Sequence, residues 1–300
     1  NGSAVPVNAS DATGDWSISD STFENVSGRR GVVDASVTNG TAGDWAIDNL
    51  TIDANAGTDV PAINISVANG SEGGDWSVSN TSMSNTSVGV EASGADGNWS
   101  VADATITATE TGVNASGASG DWSVSDSAVN NATTGVDASA AAGDWSIAET
   151  SVSAAETGVD AVQTTGSWSV DQTTITNTTT GVDAEKSTGD WNLSGSTITE
   201  GRSKNATVVG VSAGNSTGDW RVTESAVTDA QSENGSVVGI DTAQNGPSAG
   251  NWTVSGTTIS DLTSDAGHAT GIDAAGSSGS WAVEGPEEAG ADNQMLIANL

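Results

Sequence analysis

The 300-residue chain has no cysteine, no tyrosine, one histidine, one phenylalanine and six lysines and arginines against 39 aspartates and glutamates. Each shortage closes a class of explanation. Without cysteine there is no disulfide or thiolate centre to staple the fold, so a packed core must hold it, and the redox compartment is not legible. With a formal charge of −33 nothing is available to neutralise a phosphate backbone or an anionic bilayer, which excludes nucleic acid and acidic membranes as partners. No run approaches the roughly 18 apolar residues of a membrane span, so no membrane insertion is expected. The opening "NGSAVPVNAS" lacks the basic and apolar regions of a secretory signal, so an exported protein is expected here in its mature form or as an excerpt.

A chain this acidic and this rich in small residues is either disordered or folded and adapted to brine. Disorder requires few large apolar residues and no periodicity. Eleven tryptophans at regular intervals argue for a fold: Trp16, Trp45, Trp76, Trp99, Trp122, Trp145, Trp168, Trp191, Trp220, Trp252 and Trp281. Near molar ionic strength the Debye length falls to about 3 Å, and the self-repulsion of such a chain is screened. A halophilic protein is the expectation.

Every Trp sits in the frame Gly-[Asp/Asn/Ser]-Trp-x-[Val/Ile/Leu], and from Trp76 to Trp191 the interval is 23 residues each time, stretching to between 29 and 32 elsewhere. Counting from Trp as zero, aliphatic residues return at +2 (Val78, Val101, Val124), +7 (Met83, Ile106, Val129) and +14 (Val90, Val113, Val136), with alanine at +16. Around these anchors residues alternate with a period of two and are rich in Val, Ile and Thr, which is strand patterning. Three short strands in 23 residues cannot close a core alone, so each unit must stack on the next. The expected fold is all-β: a parallel β-helix, or β-solenoid, of about ten coils with an internal Trp ladder.

On these motifs the chain resembles the right-handed parallel β-helix repeats of secreted and surface proteins, in an acidic form of haloarchaeal type. The resemblance implies an architecture and its handedness. The solenoid is expected over 1–284, most regular at about 74–190, with 285–300 completing or capping the last coil. In the coils of Trp191, Trp220 and Trp252, six extra residues are expected as loop between the second and third strands, as in "EGRSKNATVVGV".

Trp at zero and the aliphatic residue at +2 share a face, which favours a buried ladder over an exposed, sugar-binding aromatic strip. Glycines at −2 and +13 are expected at corners that need positive φ or close approach of coils. Aspartates recur at −1 and at +15, both outward, where carboxylates one rung apart repel by roughly 0.9 kcal/mol even at the dielectric of water. A solvated, salt-screened face is expected. No cofactor is expected; calcium or another cation is the one ligand these carboxylates suit, with Asp137, Asp160 and Asp183 as the metal candidates. Threonine pairs such as "TIT" at 105–107 resemble ice-binding arrays, but β-propensity on an outward face accounts for them.

Asn-x-Ser/Thr occurs at 18 of the 23 asparagines. N-glycosylation is expected at Asn25, Asn39, Asn69, Asn85, Asn131, Asn177, Asn205, Asn215 and Asn234, and with it an extracellular or cell-surface address.

For catalysis, His268 stands alone in an insertion, the basic residues are scattered, and carboxylates are too abundant for any pair to stand out. The expectation is therefore a non-enzymatic structural protein, a subunit of a surface filament stacking head to tail on its own copies. Both terminal coils are expected to be incomplete, with self-association through Val5, Val7, Met295, Leu296, Ile297 and Leu300. The alternatives are a monomeric adhesin or viral tail-fibre segment binding glycans, and a β-helix polysaccharide-degrading enzyme.

Overall fold

The computed structural model describes residues 6–26, 31–38, 40–54, 60–68, 72–243, 245–285 and 297–298. They form a parallel β-solenoid of about ten coils with no helix among them. Three rows of strands run its length. In the first, Trp pairs with Trp at every step from Trp16 to Trp281. In the second, Met83, Ile106, Val129, Val152, Ile175, Ile198, Val227 and Ile259 fall opposite one another. In the third, the residues from Val90 through Val136 and Val182 to Ile272 do so. The three aliphatic positions and the Trp all enter one core.

The ladder is a continuous stack. Neighbouring indole centroids lie between 4.5 and 5.2 Å apart, with planes within 8° of parallel. Trp45 to Trp252 are buried, while Trp16 is half-buried and Trp281 exposed. Each enclosed indole removes on the order of 150–250 Å² from water, worth about 4–6 kcal/mol before entropy is charged.

Corners are built by residue types that the period alone does not announce. Position +4 has positive φ in every coil from Asp20 to Gly256, and the residue there is Asp, Asn, Glu or Gln at all but Gly195 and Gly256. Short polar side chains tolerate this left-handed conformation best. The next residue, a buried Ser or Thr in most coils, donates its hydroxyl to the carbonyl at +3 and locks the corner: Thr81 to Ser79 at 2.7 Å, Ser127 to Ser125 at 2.6 Å and Thr150 to Ala148 at 2.8 Å. Glycine at −2 serves a different need. Its φ is ordinary, but a Cβ on Gly143 would collide with the carbonyl of Gly120 one coil below, and the same holds for Gly120 over Gly97.

The insertions are regular as well. Arg202–Ser203, Gln231–Ser232 and Thr263–Ser264 pair in parallel as a separate three-stranded sheet. Val208, Ala230 and Val237 form a second small core beneath it, with Leu262 packed against them. The extra residues expected as irregular loop thus add a fourth short strand to three successive coils.

One side of the core is imperfectly satisfied. The indole N–H of Trp168 donates to Ser187 Oγ at 3.3 Å and that of Trp220 to Ser248 Oγ at 3.4 Å, whereas those of Trp99, Trp122, Trp145, Trp191 and Trp252 are buried without a partner. Ser187 lies 19 residues beyond its Trp; the equivalent residues for Trp99 and Trp122 are Ala118 and Ala141. A buried donor left unpaired costs about 1–3 kcal/mol. Ala141→Ser should therefore raise unfolding stability by about 1 kcal/mol, read from denaturant midpoints at constant m-value. A fall in midpoint would mean that the added oxygen finds no room.

Candidate functional site

The outward side chains at −1 and +1 of the Trp strands bound a shallow furrow. Across the coils from Trp45 to Trp168 it encloses about 890 Å³, and a second stretch of about 410 Å³ continues over the Trp191 to Trp281 coils. One bank is the −1 row, here Asp75, Asn98, Asp121, Asp144 and Ser167, all exposed. The other is a line of half-buried serine hydroxyls, Ser77, Ser100, Ser123, Ser146 and Ser169. In the second stretch the serine line gives way to Asn192, Arg221, Thr253 and Ala282.

Alternation along a strand explains the construction. Trp and the +2 aliphatic residue point in, so −1 and +1 point out, and in-register stacking turns each into a line parallel to the solenoid axis. The −1 carboxylates are not merely solvated. Asp121 Oδ1 accepts the backbone N–H of Asp144 at 2.9 Å, Asp144 Oδ1 accepts that of Ser167 at 2.8 Å, and Asn98 Oδ1 accepts that of Asp121 at 3.0 Å. Each side chain spends one oxygen tying its coil to the next.

Asp121 and Asp144 are adjacent aspartates lining the longer stretch, flanked by Asn98 below and Ser167 above, as Asp190 and Asp219 are in the second stretch between Ser167 and Asn251. One rung of about 4.8 Å separates them. That is close to the roughly 5–5.5 Å between the two carboxyls of a retaining glycosidase.

The metal candidates lie on another corner. Asp137, Asp160 and Asp183 are neighbours in register at +15. Each carboxylate caps its own turn, accepting the N–H of Ser139, Val162 and Glu185 at 2.9, 3.0 and 3.1 Å. Among the described residues no group of three His, Asp or Glu side chains is placed to hold a metal ion. The stack is tight enough to disturb titration. Burial pushes the Asp183 carboxyl up to about 6, with Glu185 and Asp160 adding to the effect, and burial also raises Asp160. Glu185, itself buried, is held by Asn245 Nδ2 at 2.8 and 2.7 Å and by Ser212 Oγ at 3.1 Å.

The sequence-predicted sites fall in several places. All eleven Trp stack in the ladder. Val7 pairs with Val33 and Ile297 with Ile272, placing both in the third row. Val5, Met295, Leu296, Leu300, Asn39 and Asn69 lie outside the described residues. Asn25, Asn85, Asn131, Asn177, Asn205 and Asn234 are exposed, and Asn215 is half-buried. The furrow itself went unseen in the sequence, because its depth depends on how far two outward rows stand above the strand between them.

No family model and no curated protein matches the sequence. Among solved structures, the chain is similar to the catalytic unit of a thermostable GH87 α-1,3-glucanase from Streptomyces thermodiastaticus strain HF3-3. The TM-score is 0.49 and the identity 16 %, over 95 % of this chain and 64 % of that one. This chain therefore spans less than two thirds of that structure's length. A likeness of this degree gives no residue here a role. The expectation of a non-enzymatic filament subunit finds no support in this comparison, the matched structure being a catalytic unit, and is not carried forward.

The raised Asp183 carboxyl makes a signed prediction. Unfolded it titrates near 3.8 and folded near 6, so between those values the folded state holds the extra proton and stability falls as pH rises. Asp48, exposed and held below the usual carboxylate range by Asn80 and Ser79, acts in the opposite sense and only at lower pH. Asp183→Asn should reduce the slope of melting temperature against pH between about pH 4 and pH 6. An unchanged slope would show that the carboxyl titrates normally.

Proposed function

We propose that this chain is a polysaccharide-processing β-helix that holds an extended glycan along the Trp-row furrow and uses Asp121 and Asp144 as its carboxylate pair. The observation that carries this reading is the furrow: hydroxyl and carboxylate rows repeat at each coil along a straight path open at its sides. An extended sugar polymer offers hydroxyls at a comparable repeat, and a shallow path admits a chain of any length. In retaining hydrolysis one carboxylate attacks the anomeric carbon while its partner protonates the departing oxygen, then activates water. The pair's flanks, Asn98 and Ser167, supply neutral partners for the sugars on either side.

The test separates binding from turnover. Release of reducing ends is measured on a panel of linear α- and β-glucans and other neutral polysaccharides. Asp121→Asn and Asp144→Asn should each lower turnover by about 100-fold or more while binding persists. Both variants should fold, because Asn98 and Asn251 already make the same coil-to-coil bond. Ser123→Trp, which fills the furrow, should abolish binding. Binding without turnover in the unaltered protein would leave a glycan-binding module and defeat the catalytic half of the proposal.

The setting we infer is extracellular and salty. Support comes from the −33 charge and from carboxylate rows that stack like upon like. The melting temperature should rise from about 0.1 M to about 2 M potassium chloride as the Debye length shrinks from about 10 Å toward 3 Å or less. A melting temperature indifferent to salt would count against brine as the native medium.

A further inference from the structure

Four of the exposed asparagines occupy one structural position. Asn25, Asn85, Asn131 and Asn177 all stand at +9, at a corner with φ between 53 and 60°. The coils between them are built differently: Ala54, Ala108 and Ala154 take the +9 position and are buried. The strand pairing shifts register where the two kinds of coil meet, at Thr86 opposite Ala108 and Ala132 opposite Ala154. The 23-residue unit is thus one half of an alternating pair, and the asparagines form a line on one edge, two coils or about 10 Å apart.

Backbone geometry does not require asparagine there. Glu200, Asp229 and Asp261 hold the same corner with positive φ in the later coils. What recurs with each of the four asparagines is a hydroxyl residue two positions on: Ser27, Ser87, Thr133 and Thr179. In the intervening Trp99 and Trp145 coils that position is Glu110 and Glu156. From this we infer that Asn25, Asn85, Asn131 and Asn177 are a row of N-linked glycan acceptors, spaced at alternate coils so that each glycan has the width of two rungs.

The chemistry fits the amides. Transfer from a lipid-phosphate-linked oligosaccharide joins Asn Nδ2 to the anomeric carbon and breaks the anomeric carbon–oxygen bond to phosphate. The lipid phosphate leaves, and Nδ2 loses one proton and keeps the other. Asn85 Nδ2 makes one bond, to Asp53 Oδ1 at 2.6 Å, which the retained hydrogen can serve. Asn177 Nδ2 makes only long bonds, to Ser153 Oγ at 3.3 Å and Thr176 Oγ1 at 3.4 Å, whereas Asn234 Nδ2 is held by shorter ones, to the Lys204 carbonyl at 2.9 Å and Asn205 Oδ1 at 3.1 Å. Asn215 is half-buried with its Nδ2 on the Asn245 carbonyl.

Glycopeptide mass spectrometry of the native protein tests the assignment. Glycan is expected on the +9 asparagines, Asn131 above all, and not on Asn215 or Asn234. Asn131→Gln should lose the mass of one glycan with an unchanged melting temperature, since Gln172 already accepts positive φ. Bare Asn131 and Asn177, or equal occupancy at Asn215 and Asn234, would overturn the inference.

Discussion

Indole on indole, repeated at each coil, is the contact on which the other features depend. A parallel in-register stack places every residue above its own equivalent, so a position is usable only if its side chain is compatible with a copy of itself about 4.8 Å away. Flat indoles meet that condition well, and so do Val and Ile at +2, +7 and +14. The glycine at −2 follows from the same demand: coils brought to stacking distance by the ladder leave no volume for a Cβ beside Gly120 or Gly143.

Aspartate meets the condition badly, and the structure resolves the conflict in two ways. At −1 each carboxylate accepts a backbone N–H from the coil above, so a hydrogen bond to a fixed donor offsets repulsion between like charges. At +15 the carboxylate turns back to cap its own coil, and where its neighbours enclose it, at Asp160 and Asp183, burial raises its proton affinity.

The period, the three strands and the inward residues were legible because burial is a strong and repeated constraint: any failure at +2 or +7 would open a cavity in a continuous core. Corners were not. The +4 position accepts Asp, Asn, Glu, Gln and Gly alike, so no letter marks its left-handed backbone. Alternation at +9 hides because both kinds of coil have 23 residues and differ only in which of two adjacent positions is buried. The added strand at Arg202–Ser203 escaped for a related reason, since two-residue strands carry no periodic signal. Lines of outward Asp and Ser were readable as lines, but the furrow between them is a matter of relief, which composition does not encode.

Repetition also constrains what a furrow can do. If every rung were the same, an extended glycan could bind in many registers of nearly equal energy, sliding by one coil at little cost, and no bond would be singled out for chemistry. Catalysis needs that degeneracy broken. In the longer stretch of the −1 row it is broken where Asn98 and Ser167 bracket two adjacent aspartates, and in the second where Ser167 and Asn251 bracket Asp190 and Asp219, leaving charge on two consecutive rungs and neutral hydrogen-bonding groups on the rungs beyond. Under the proposed reading, the uniform serine line supplies binding that is indifferent to register, and a bracketed pair selects the register in which a glycosidic bond lies between two carboxylates. Departures from the repeat, rather than the repeat itself, are where this architecture can hold chemistry.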